Sequence, residues 1–484
     1  MSMNIALKKK FRKILLVKLN SSVIESVGFP RACRPPFLLK YAEAILTAKA
    51  GYEVKLIDCL ICPQKIDALI ASTIKWSPDV LVISGTTIDS SLFQQYPRMV
   101  KERIDALVIG VGQGITAIPT EYLSLDSAVD LTLPGEAEEE LVGLIEMLNT
   151  DGSIKKVLDN YRAKAEGPFL VEDLNRLPFP AYDIKELKRY RFIYPIAKAK
   201  KLVWGHILSS RGCPYSCIFC SQMTRESYGA KVRLRSAVNI VDEIECLTAR
   251  GANIISFDDD NFTTVREHVL AICEEIRRRH LKIDWITHAR VDNMSAELLR
   301  AMKQAGCVLI RFGIESGSQR IVDILGKTKY KDWVSLCEGV FSKARENKIP
   351  TAALFQIGCP SETEKEIWQS IELAKKLKPD IIQVSYFIPY PGSSAYLEIK
   401  DKINQSVFSQ MYHYNAPPVN FSKLEMEELK SMFKLFYKKF ILSPSFIISH
   451  FFKYAMFYLY NLDVLFELLK IRKHFQKWTE PLKL

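Results

Sequence analysis

The sequence predicts an α/β protein of two units in series, a doubly wound parallel sheet and then a partial (βα)6 barrel, followed by a helical tail. Three observations predict it. Residues 1 to 150 alternate five short β-rich runs with helical stretches, residues 201 to 400 repeat a strand-then-helix unit six times, and residues 401 to 484 form an amphipathic run dense in aromatic and basic side chains. A chain of 484 residues also exceeds one ordinary core, so more than one domain is expected.

The first unit reads as KILLVKLN, PPFLLKYAEAILTAKAG, YEVKLIDC, QKIDALIASTIKWSP, DVLVISG, a helix to about residue 103, DALVIGVG and VDLTLPGEAEEELVGLIEML. Near-continuous apolar strands separated by helices imply a parallel sheet covered on both faces, with a ligand beyond the carboxyl ends where strand order reverses. Small residues collect at those ends: Ser84, Gly85, Thr86 and Thr87 after the third run, Gly110, Gly112 and Gly114 after the fourth. They are expected to let a bulky ligand approach the backbone. No strand–GxGxxG–helix unit occurs, which disfavours a nicotinamide cofactor.

Residues 151 to 200, rich in Pro and charge, read as a connector. The strands of the second unit are LVWGHILSS, NIISFDD, KIDWITHA, CVLIRFG, TAALFQIG and DIIQVSYF. Chemistry on such a scaffold belongs at the carboxyl ends of the strands. There lies RGCPYSCIFCS at 211 to 221, in which Cys213, Cys217 and Cys220 can ligate three irons of a [4Fe-4S] cluster and leave the fourth open. A zinc site short of one ligand, or three structural thiols, are the other readings. FDDDNFT at 257 to 263 ends the second strand with three carboxylates, which also suit a solvated turn or a helix cap.

The cysteine loop resembles that of the radical S-adenosylmethionine (SAM) superfamily, whose CxxxCxxC motif has this spacing and position. RPPFLLKYAEAILTAKAGYEVKLID, VISGTT, IGVGQGITAIPTE and LPGEAEEEL resemble the cobalamin-binding domain of its B12-dependent branch, the group of class B methyltransferases and anaerobic Mg-protoporphyrin monomethyl ester cyclases. The resemblance implies a flavodoxin-like cobalamin domain ahead of a partial barrel of TIM type. It implies SAM chelated by the open iron and cleaved reductively, with an electron donor such as flavodoxin or ferredoxin, and methyl transfer from cobalamin to an unactivated carbon. Cyclisation or oxidation without methylation is the alternative within the family, and a metal- or nucleic-acid-binding regulator is the alternative outside it. By the same resemblance Asp259 and Asp260 fall on paired aspartates that face the SAM ammonium, and Glu315 in RFGIESGS on a ribose-binding glutamate, with Gly313 and Gly317 giving clearance. Arg290 in HARVDNM becomes a candidate for the SAM carboxylate or a substrate anion. No histidine precedes His206, so a lower histidine ligand to cobalt from the first unit is excluded.

Net charge is +12, from 67 Lys and Arg against 55 Asp and Glu, but the basic residues are spread along the chain and no nucleic acid is expected. The basic start MSMNIALKKKFRK runs directly into a strand, so neither a secretory leader nor a membrane span is expected there. With eleven cysteines, that places the protein in the reducing cytoplasm. The tail either lies at the inner face of a membrane, suggesting an apolar or lipid-like small-molecule substrate, or packs over the barrel's open side.

Overall fold

The computed structural model describes residues 10–20, 33–117, 128–150, 153–164, 167–192, 194–196, 200–220, 230–403, 408, 411, 414, 416–441, 443–462 and 464. The end of IGVGQGITAIPTE and the tail beyond residue 464 lie outside them.

The first sheet holds β1 (Lys13–Lys18), β2 (Glu53–Asp58), β3 (Val80–Ser84), β4 (Leu107–Val111) and β5 (Leu131–Leu133), all parallel, in the order β2-β1-β3-β4-β5. Alternate side chains of each strand point to opposite faces. Ile14, Leu16, Val80, Val82 and Ile109 pack under the helices Phe37–Thr47 and Glu138–Thr150, while Leu15, Val17, Leu81, Ile83 and Val108 pack under Ile66–Trp76 and Ser90–Lys101. Strand order reverses between β1 and β3, where Leu19 N–H bonds the Ser84 carbonyl at 2.8 Å. A ligand crevice belongs at that point.

Within the stretch read as a connector, Ile154–Lys164 is a helix. Its Val157, Leu158 and Tyr161 complete the first core, because β5 is short and leaves that face partly uncovered. Tyr182 and Tyr190 then join the core shared with the second unit, and Tyr190 OH donates to Asp58 at the end of β2 at 2.7 Å.

The second sheet contains β6 (Trp204–Ile207), β9 (Ile254–Phe257), β10 (Asp284–Arg290), β11 (Cys307–Glu315), β12 (Thr351–Ile357) and β13 (Ile381–Tyr386), parallel and in sequence order, with β6 and β13 at the edges. Between β6 and β9, the pair β7 (Ser210–Arg211) and β8 (Arg233–Leu234) forms a small antiparallel hairpin around the cysteine loop.

The described tail packs along the flank of the second unit and beneath the amino ends of its strands. Helix Met426–Ile441 buries Leu429, Met432, Phe433, Phe436 and Phe440 along the flank, and its Tyr437 hydroxyl bonds Val384 N–H at 2.8 Å. Helix Pro444–Tyr460 runs beneath the amino ends of the strands, where Tyr454 and Phe457 meet Trp204, Ile254, Ile286, Leu309 and Ala352. It ties the two sheet edges together: Tyr454 OH bonds Asp380 before β13, and Asn461 bonds Leu202 N–H and the Lys200 carbonyl before β6. Its outer face leaves Ile448, Phe451, Phe452 and Leu459 exposed. Among the described residues no single helix is long and apolar enough to cross a membrane. The tail pair passes only when taken together, and it is bent by 70°.

Candidate active site

Cys213, Cys217 and Cys220 lie on one half-buried loop after β7. Among the described residues no three His, Cys, Asp or Glu side chains converge on one metal ion. A cubane cluster takes one thiolate per iron, so its ligands stand further apart than those of a single zinc ion, and the donor set fits the cluster better. Tyr215 and Arg290 shape the loop. The Arg290 guanidinium lies 3.7 Å from the Tyr215 ring centroid, Nη1 is 3.6 Å from Cys217 Sγ, and Nε and Nη2 clamp Asp292 at 2.9 and 2.7 Å. Nη2 also reaches the Lys327 carbonyl. Arg290 is thus engaged by protein groups, and only the edge facing Cys217 is left for a ligand.

The three adjacent aspartates have different fates. Asp258 Oδ2 sits 2.7 Å from His206 Nδ1 in full burial. Asp259 accepts from Ser209 N–H and from the Ser209 and Ser210 hydroxyls at 3.2, 2.8 and 2.6 Å, so it braces the strand leading to the cysteines. Asp260 alone keeps partial access and makes no hydrogen bond among the described residues. Burial first, and the neighbouring Asp259 charge second, push its carboxyl up to about 8.

Glu315 ends β11 with φ +66°, a left-handed backbone costly for a non-glycine residue, beside a register shift in the β11–β12 ladder. Its carboxylate accepts from Lys327 Nζ and Gln356 Nε2, both at 2.8 Å. The clearance expected of two glycines is taken up by protein: a Cβ on Gly313 would meet the Glu315–Lys327 pair at 2.6 Å, and one on Gly317 would meet the Gln369 carbonyl at 2.5 Å. Cys359 lies in the loop after β12. It is wholly buried among Ile321, Leu325 and Phe387, and burial raises it well above the ordinary thiol range.

In the first sheet, Ser84, Gly85, Thr86, Thr87, Gly110, Gly112 and Gly114 do converge at the carboxyl ends of β3 and β4. Much of the space they free is filled by each other. A Cβ on Gly85 would strike Phe93 at 2.3 Å, Gly112 (φ +95°) sits against Ser84 Oγ, and Gly114 packs on Thr86 while donating to the Gly85 carbonyl. Gly110 lies against Ile115, and Thr86 bonds Asp89 to start the turn Thr87–Asp89. The ligand signal at this crevice comes from Asn20, two residues past β1. Its Oδ1 is shielded from solvent and has no partner among the described residues, an acceptor that suits an amide-bearing molecule such as a corrinoid.

Sequence reasoning missed Lys327, Gln356, Tyr215, and the charges that join the two units. Arg233 and Arg211, from the hairpin around the cysteine loop, pair with Glu136 and Glu138 of LPGEAEEEL. Consecutive acids after a Pro-Gly turn were a signal, but they read equally as a helix start.

Residues 207–374 match the family model of the Radical SAM superfamily. The chain is 27% identical to an uncharacterised methyltransferase of Pyrococcus horikoshii over 93% of this chain and 96% of that one. It is 27% identical to the anaerobic magnesium-protoporphyrin IX monomethyl ester cyclase of Rubrivivax gelatinosus over 77% of this chain and 62% of that one. The radical SAM methyltransferase TsrM from Kitasatospora setae, solved with cobalamin and a [4Fe-4S] cluster, superposes with TM-score 0.65 at 18% identity, covering 81% of this chain and 78% of that one, a likeness of fold.

Proposed function

We propose that this chain, whose residues 207–374 form a domain of the Radical SAM superfamily, is a cobalamin-dependent enzyme that binds a [4Fe-4S] cluster and SAM and methylates an unactivated carbon of a small molecule. The observation that carries the reading is convergence. The cysteine loop, Asp260, Arg290 and the Glu315–Lys327 pair share the carboxyl ends of one parallel sheet, and the doubly wound unit is docked beside them through Glu136 and Arg233. We read the second sheet as an open (βα)6 barrel and extend the first domain through Lys164, on the packing of Tyr161.

When bound, the cluster with SAM supplies a carbon-centred radical and the corrinoid supplies the methyl group. The chain's own part is to bind, orient and exclude water. Cys213, Cys217 and Cys220 hold the cluster, and Arg290 places a positive charge against the Cys217 sulfur. Glu315, preoriented by Lys327 and Gln356, offers its carboxylate to ribose hydroxyls. Asp260 would take the SAM ammonium, and Asn20 with the β3 and β4 loops would hold the corrinoid.

A flavodoxin or ferredoxin delivers the electron in the cytoplasm. The exposed Ile448, Phe451, Phe452 and Leu459 support a peripheral membrane contact, and with it an apolar or lipid-like substrate.

Relatives named as cyclases keep a second reading open, a corrinoid-using cyclase or oxidase. Product mass decides between them. Methyl transfer yields a product heavier by one CH2 with its label traceable to SAM, and a product lacking that increment overturns the methyltransferase reading. The corrinoid spectrum of the reconstituted protein is expected to show no histidine ligand, and failure to bind any corrinoid sinks the cobalamin assignment.

A further inference from the structure

The amino ends of the second sheet carry a cavity of about 860 Å³, at the end of the unit opposite the cysteine loop. It lies in the crook of the 70° bend between the two tail helices. Val308, at the start of β11, and Ile349 and Pro379, just ahead of β12 and β13, meet Phe440, Phe446 and Tyr454 of the tail across it. Ile349, Phe440 and Tyr454 are 5% exposed or less, so the floor is apolar. A space of this size and lining suits a small organic molecule.

The rim is cationic. Seven lining residues are Lys or Arg, against one carboxylate, Asp380. Four of the seven are engaged within the protein. Lys303 Nζ donates to the Lys348 carbonyl at 2.9 Å, Arg345 Nη1 to the Leu377 carbonyl at 2.6 Å, Lys375 pairs with Glu372 at 2.6 Å, and Lys453 pairs with Asp380. The first three also stand in the last turns of their helices, where a cation offsets the helix dipole. Lys348, Lys378 and Lys439 make no ion pair among the described residues, and Lys439 lies 5.9 Å from the Trp368 ring centroid. All three are exposed at the rim.

Two of these lysines sit where the backbone favours glycine. Lys348 has φ +54° and Lys378 φ +48°, left-handed conformations at the ends of helices Trp333–Glu346 and Glu364–Leu377. Before the preceding strands, helices Ala237–Ala249 and Ala296–Gln304 end on Gly251 and Gly306, and Arg266–Arg278 ends on His280, none of which lines the cavity. Pro379 adds to the cost at Lys378, because a residue before proline prefers extended backbone. What the two positions gain from not being glycine is therefore the lysine side chain.

We propose that this cavity binds a phosphate-bearing amphiphile, its apolar chain on the floor beside Ile349 and Phe440 and its phosphate among Lys348, Lys378 and Lys439. Lysine is a compact point charge that serves as a phosphate binder. The chemistry fits two sources, a phospholipid met at a membrane surface and a dissolved alkyl phosphate. Phe451 and Phe452 project from the other side of the helix that lines the cavity with Phe446 and Tyr454, so membrane contact and cavity binding can be separated. The site stands apart from the cysteine loop and does not depend on the radical SAM reading.

The test is equilibrium binding of decyl phosphate, below its micelle concentration, to the full-length holoenzyme, beside decyl maltoside and inorganic phosphate. Decyl phosphate is expected to bind tightest, because its chain adds about fourfold per buried CH2 over inorganic phosphate and its charge adds what the maltoside lacks. K348G, K378G and K439Q should each weaken it about fivefold, and the triple variant about a hundredfold. Glycine relieves the left-handed backbone, so K348G and K378G should melt at or above the wild-type temperature, which separates lost binding from lost folding. Equal affinity for decyl phosphate and decyl maltoside, or wild-type affinity in the triple variant, overturns the proposal. Vesicles of phosphatidylcholine with and without phosphatidic acid identify the source. Sedimentation with the phosphatidic acid vesicles that the triple variant loses assigns the site to a phospholipid. Sedimentation kept by the triple variant, with decyl phosphate binding lost, assigns it to a dissolved amphiphile. Phe451→Glu with Phe452→Glu should keep the decyl phosphate affinity, since neither ring lines the cavity. Loss of that affinity would place the probe on the outer face of the helix and overturn the site.

Discussion

The Glu136 carboxylate holds the Arg233 guanidinium in two hydrogen bonds of 2.6 Å, joining the first sheet's last loop to the hairpin that brackets the cysteine loop. Both side chains are about 5% exposed, and Glu136 also accepts from Val171 N–H at 2.9 Å. Burial alone would raise this carboxyl, but the Arg233 bonds and the nearby Arg211 charge outweigh it and hold it below the usual range.

Removing one partner of this pair strands the other. Glu136→Gln is expected to destabilise the protein by about 3–5 kcal/mol. A carboxyl lowered by folding contributes stability that is present above its unfolded value, about 4.3, and lost as pH falls through the folded value. Melting temperature against pH should therefore drop more steeply on the acid side for wild type than for the variant. Identical acid limbs would show that the pair does not hold the two units together.

Cys213→Ala, Cys217→Ala and Cys220→Ala should each abolish iron–sulfur absorbance and SAM cleavage, since three ligands leave none spare. Cys359→Ala, and Cys59→Ala with Cys62→Ala, should keep full iron content: Cys359 is enclosed in an apolar cluster, and the other two lie on the first unit. Normal turnover in any of the first three variants rules out the cluster assignment.

Asp260, with its carboxyl near 8, is protonated at neutral pH until a cation arrives. Binding of the SAM ammonium should release a proton there, read as a dependence of binding heat on buffer ionisation enthalpy at pH 7. Asp260→Asn should abolish that dependence. Because folding raises this group, its contribution is fully present below about pH 4 and is lost as pH rises toward 8, so the variant should gain stability over wild type across that window. Equal proton release by the variant would assign the proton to another group.

Helix Pro444–Tyr460 buries one face under the second sheet and leaves Phe451 and Phe452 65% and 79% exposed. Phe451→Glu with Phe452→Glu should remove sedimentation with anionic vesicles at low salt while leaving the melting temperature within a degree or two, since neither ring is in the core. Equal sedimentation of the two proteins would eliminate the membrane contact.

What the sequence by itself determined is what local periodicity and covalent spacing carry. Five apolar strands with intervening helices specified a doubly wound sheet, six strand–helix repeats specified the second, and a four-then-three cysteine step on a Pro-containing loop picked out the candidate cluster ligands. Only the tertiary structure decided how similar residues divide their work. Asp258, Asp259 and Asp260 are indistinguishable in FDDDNFT, yet His206 of β6 and the serines at 209 and 210 commit the first two to protein partners and leave the third with no hydrogen bond among the described residues. The glycines after β3 and β4 clear space mainly for Phe93, Ser84 and Thr86, which the sequence places at varied distances along the chain. Arg311 reads as one more inward residue of a strand, and it is buried because Phe192 and Tyr194, more than a hundred residues earlier, fold back to enclose it. Burial and partner choice depend on which distant segments meet, and that is set by packing of the whole chain rather than by any local pattern.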